Sequence, residues 1–82
     1  MDQEKSLRIL LDLMEELEVR IKYDRGNFKG GLVKYREDDL LYLNRKDQPE
    51  AKIKTIISEL KEIEIPPHLL TDEIDELIKE YS

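Results

Sequence analysis

Leu32-Val33-Lys34-Tyr35-Arg36-Glu37-Asp38-Asp39-Leu40-Leu41-Tyr42-Leu43 places two apolar-rich runs on either side of a polar break, Glu37-Asp38-Asp39. This pattern predicts a β-hairpin in which Val33 and Tyr35 face one way and Lys34 and Arg36 the other, because successive side chains of a strand alternate between its two sides. Upstream, Val19-Arg20-Ile21-Lys22-Tyr23 alternates in the same manner, with Val19, Ile21 and Tyr23 on one face and Arg20 and Lys22 on the other. It reads as a third, half-buried strand. Asp24-Arg25-Gly26-Asn27 and Gly30-Gly31 supply turn residues between the strands. Phe28, alone between them, is either tucked over the core or an exposed contact. The three strands in sequence make a short antiparallel meander.

Helical periodicity flanks this sheet on both sides. Leu7, Leu10, Leu11, Met14 and Leu17 recur on one face of an amphipathic helix over residues 3–18. Ile53, Ile56, Ile57, Leu60 and Ile63 do the same over residues 48–63, opened by Asp47-Gln48-Pro49-Glu50 as a capping box. Ile65-Pro66-Pro67 ends that helix, since proline lacks the backbone donor and biases the residue before it toward an extended conformation. Thr71 then reads as the N-cap of a last helix to about residue 80, with Leu70, Ile74, Leu77, Ile78 and Tyr81 as its apolar stripe. The expected architecture is a single α+β domain, residues 1–82, in the order α-β-β-β-α-α, with three helices on one face of the sheet.

At 82 residues there is room for one modest core. Hydrophobic residues make up 39% and charged residues 41%, too apolar and too periodic for disorder. The absence of cysteine excludes disulfides, thiolate metal sites and a cysteine nucleophile, and fits a reducing compartment. No apolar run is long enough for a membrane span, and no leader pattern opens the chain, so the expected location is the cytoplasm. The net charge of −6 is unevenly distributed: residues 1–19 carry net −4, residues 20–54 net +4 and residues 55–82 net −6.

His68 is the only imidazole, and no serine or carboxylate stands near it at a triad-like spacing. The 20 acidic residues lie mainly on solvated helix faces, and Gly26, Gly30 and Gly31 lack the spacing and the Lys-Ser or Lys-Thr of a phosphate-binding loop. No catalytic set, metal site or cofactor is therefore expected. The candidate site is the outward sheet face, where Arg20 and Lys22 on one strand and Lys34 and Arg36 on the next would form a basic patch, with Tyr42 either an aromatic contact at its edge or a core residue. Such a face suits an acidic protein partner or a second copy of the chain. Phosphate binding is the alternative, and a solvated sheet face is the plain structural one.

Two resemblances accompany these readings. Helix, three strands and helix over residues 3–63 is similar in order to double-stranded-RNA-binding domains, although Asn44-Arg45-Lys46-Asp47-Gln48-Pro49-Glu50 stands where those domains carry a Gly-rich stretch and a Lys-Lys cluster. Over about residues 7–63, Gly30-Gly31-Leu32, Leu40-Leu41-Tyr42-Leu43-Asn44 and Ile56-Ile57-Ser58-Glu59-Leu60-Lys61-Glu62 resemble the minimal zincin-type metallopeptidase domain. Glu59 falls at the general-base position of its H-E-x-x-H helix, but Ser58 and Glu62 replace the two zinc-binding histidines. That resemblance implies a non-catalytic derivative of the scaffold, with a metal-dependent hydrolase remnant as the weaker implication. The Gly-Gly-Leu, Leu-Asn and Pro-Pro punctuation is also generally similar to that of small bacterial α+β proteins, which implies no function. The expected function is a non-enzymatic interaction module.

Overall fold

The computed structural model describes residues 2–26 and 30–82, with Tyr35 described by its backbone alone. Phe28 lies outside the described residues. The elements are α1 (Gln3–Glu16), β1 (Arg20–Asp24), β2 (Gly31–Tyr35), β3 (Asp38–Asn44), α2 (Pro49–Leu60), a single 3-10 turn (Pro67–Leu69) and α3 (Asp72–Glu80). This is the expected α+β order.

The sheet departs from the expected meander. Its strand order is β1-β3-β2, with β1 parallel to β3 and β2 antiparallel to it. The reason lies in β3, which is apolar on both faces: Leu41 and Leu43 join the helical core, while Leu40 and Tyr42 alternate to the opposite side. A strand with apolar residues on both sides gains most from the central position, and the strands bearing Arg20, Lys22 and Lys34 take the edges. Parallel pairing requires a crossover of about a dozen residues, and residues 25–37, with β2 inside them, provide it.

The core is built from Leu10, Leu13 and Met14 of α1, Ile53, Ile56, Ile57 and Leu60 of α2, Leu41 and Leu43 of β3, Val19, and Ile74 and Leu77 of α3. Helix α1 packs on β1 and α2 on β2 and β3, while α3 leans against α1. Helix α3 joins the helical layer mainly through α1, with Ile74 and Leu77 in the same core cluster as Leu41 and Leu43 of β3. Leu70, expected in the last apolar stripe, is 42% exposed, because the 3-10 turn after Pro66 ends before the helix begins.

Helix ends follow local hydrogen bonding. Helix α1 stops two residues earlier than its periodicity predicts, because Glu18 adopts the left-handed conformation at φ 62°. Its N–H donates to the Glu15 carbonyl, and the N–H of Val19 donates to the Met14 carbonyl, both at 2.9 Å. These two bonds form a Schellman motif, and the buried Met14 and Val19 supply the apolar pair that accompanies it. Helix α2 opens without the expected capping box: Gln48 is the N-cap and its side chain makes no capping bond. Asp47 instead donates its N–H to the Asn44 carbonyl at 3.0 Å, which leaves Pro49 at the first helical position, where its missing donor costs nothing. The Thr71 cap forms as expected, its Oγ1 accepting from the Ile74 N–H at 3.2 Å.

Candidate protein-interaction face

Strand register determines which side chains share the sheet face turned away from the helices. Arg20 stands beside Leu40 and Lys22 beside Tyr42 across the parallel pair, while Val33 stands beside Leu40 and Gly31 beside Tyr42 across the antiparallel pair. Since register partners lie on one side of a sheet, these residues form one surface: two cations on the β1 edge, Leu40 and Tyr42 along the middle, and Val33 on the far strand. Leu40 is buried and Tyr42 half-buried, whereas Val33 is 47% exposed. The surface is an apolar strip with a basic border.

This arrangement brings together three of the five expected contact residues, Arg20, Lys22 and Tyr42. It separates the other two. Lys34 stands beside Asp39, on the side of the sheet that Leu32 and Leu41 occupy, and Arg36 lies in the two-residue turn between β2 and β3 with φ 58°. The expected four-cation patch is therefore not one surface. Its premise was a β1-β2 neighbourhood, and insertion of β3 between these strands removes it. Val33 and Leu40 are the residues that the sequence does not point to, since alternation in the expected meander turns Val33 toward the core. The doubly apolar run Leu40-Leu41-Tyr42-Leu43 was the signal that β3 has two faces to cover.

On the helix side, Lys52 of α2 places its Nζ 5.8 Å from the centroid of the Tyr23 ring, a cation–π contact that ties the end of β1 to α2. Asn44, buried at the end of β3, donates from Nδ2 to the Gly26 carbonyl at 2.8 Å and accepts at Oδ1 from the Lys46 N–H at 3.1 Å. One side chain thus joins the segment leaving β1 to the segment approaching α2.

A second concavity of about 580 Å³ lies between the start of β2 and α2, bordered by Gly30, Asp47, Lys54, Thr55, Ser58 and Glu59. Ser58 is exposed and Glu59 half-buried. Glu62 falls beyond the last residue of α2, so Ser58 and Glu62 do not share a helical turn as paired metal ligands must. Among the described residues, no three of His, Cys, Asp and Glu gather into a metal-binding group, and His68 is exposed in the 3-10 turn. No helix among them is long and apolar enough to cross a membrane.

No family model, curated protein or solved structure matches the chain.

Proposed function

We propose that the protein is a non-enzymatic interaction module, acting in the cytoplasm, whose open sheet face binds an acidic, amphipathic segment of a protein partner. The observation that carries this reading is the juxtaposition of Arg20 and Lys22 with the half-buried Tyr42 and the exposed Val33 on the side of the sheet opposite the core residues Leu41 and Leu43. Apolar area supplies affinity and the cationic border selects acidic partners and orients them. Double-stranded nucleic acid is the weaker reading, because Lys34 stands on the other side of the sheet and, among the described strand residues, Arg20 and Lys22 are the cations on this face.

Amide chemical-shift mapping tests the reading, with a peptide of alternating aspartate and leucine as one probe and a short RNA duplex as the other. The expected result is saturable perturbation by the peptide at Arg20, Lys22, Val33, Leu40 and Tyr42. Perturbation by the duplex alone, or by the peptide only around the Gly30 concavity, would overturn it.

A further inference from the structure

The outer edge of β1 carries the strongest remaining signal. The Arg45 N–H donates to the Asp24 carbonyl at 2.8 Å, so the backbone groups of Asp24 point toward β3. Because these groups alternate along a strand, those of Lys22 and Arg20 point the same way, and those of Ile21 and Tyr23 point out from the sheet. Among the described residues no backbone group pairs with them. A groove of about 560 Å³ runs along this edge between β1 and the end of α1. The edge has no proline and no bulge, its exposed charges Arg20, Lys22 and Asp24 are of both signs and so suit a complementary rather than a random partner strand, and Tyr23 is 42% exposed beside it.

We infer that β1 pairs antiparallel with β1 of a second copy about a two-fold axis at Lys22, giving a symmetric dimer with a continuous six-stranded sheet. This register makes Ile21 and the second copy's Tyr23 a doubly hydrogen-bonded pair, which uses the outward-pointing groups. It also covers Tyr23 with an aliphatic neighbour on the helix side. On the open face it sets Arg20 opposite the second copy's Asp24, twice by symmetry. The two Lys22 side chains meet at the axis as one like-charge pair, each with the second copy's Arg20 and Asp24 on its diagonals, so the attraction of this register rests on the two Arg20–Asp24 pairs. A shift by two residues toward the start of β1 would set Arg20 against Lys22 twice and lose both Asp24 contacts, so the charge pattern favours the axis at Lys22 over that pairing. The β2 edge offers no such complementarity, since its only charged residue within the strand is Lys34.

The inference goes beyond the partner-binding reading but shares Arg20 and Lys22 with it, so self-association is measured without peptide and through Asp24 and Tyr23, which lie outside the contact set proposed above. Sedimentation equilibrium from about 10 µM to 1 mM, the range for a small interface, tests it. The wild-type chain is expected to reach twice its 9.8 kDa mass. Asp24→Arg, which sets arginine opposite arginine, should weaken the dimer by about tenfold or more. Adding Arg20→Asp to that variant should restore it. Tyr23→Pro removes an outward donor and leaves the bonds to β3 in place, so it should abolish the dimer, with circular dichroism reporting that each variant is folded. A wild-type monomer throughout this range would overturn the inference. So would a dimer indifferent to Asp24→Arg, or a double variant that fails to recover, and the charge pair remains decisive if Tyr23→Pro does not fold.

Discussion

A β-carbon built on Gly30 would stand 2.5 Å from the carbonyl oxygen of Tyr42, closer than any side chain tolerates. Gly30 is where the chain enters β2, and this close approach brings the strand against β3 beneath Thr55 of α2. The adjacent Gly31 is different: its β-carbon would meet only Glu59 Oε1, at an ordinary 3.5 Å. Gly30→Ala is therefore expected to cost about 1–3 kcal/mol, as overpacking against rigid backbone does. Gly31→Ala should stay within about 0.5 kcal/mol of wild type. Urea titrations of the two variants check the contrast.

Glu18 occupies a left-handed position that closes α1, where glycine carries no β-carbon penalty. Glu18→Gly should raise stability by about 0.5–1 kcal/mol, the steric relief exceeding the entropy that glycine adds to the unfolded chain. A shift of the denaturation midpoint to higher urea at unchanged slope is the expected signature.

Asn44 donates to one backbone group and accepts from another through the two separate atoms of its amide. Asn44→Asp keeps the acceptor for the Lys46 N–H but turns a carboxylate toward the Gly26 carbonyl, so it should cost at least as much as Asn44→Ala. Each is expected to cost about 1–3 kcal/mol, with thermal denaturation as the readout. The ordering of the two variants separates a hydrogen-bonding role from one of volume alone.

The Lys79 ammonium lies 3.0 Å from the Asp75 carboxylate one helical turn earlier. That hydrogen bond, with the charge of Asp75, raises the Lys79 pKa above its ordinary 10.5. A base raised by folding contributes stability that is fully present below its unfolded value and lost as pH rises through its folded value. Lys79→Met should therefore melt slightly below wild type well under pH 10.5, and the difference should vanish well above it.

Helix positions were legible in the sequence because each apolar stripe is local: Ile53, Ile56, Ile57 and Leu60 meet one surface whatever the strand order. Strand pairing was not legible in the same way. Alternation places Arg20 and Lys22 on one side of their strand, and this survives in the structure, but it does not say which strand is their neighbour. That depended on β3 carrying apolar residues on both faces, which makes the third strand in sequence the middle one in space. The candidate site inherits both outcomes. Arg20, Lys22 and Tyr42 converge because alternation and register agree, whereas Lys34 and Arg36 were tied to them only through an assumed β1-β2 contact. The early end of α1 at Glu18 was also hidden, since a Schellman motif without glycine leaves little trace in composition.

The most direct test of the proposed function compares two double variants that remove the same charge, Arg20→Ala with Lys22→Ala and Lys34→Ala with Arg36→Ala. Each is titrated with the alternating aspartate–leucine peptide at fixed ionic strength and read by calorimetry. The expected result is loss of about tenfold or more in affinity for the first pair, with the second close to wild type. Equal losses for both would mean that net charge, not this face, governs binding, and an unchanged affinity in the first pair would contradict the proposal outright.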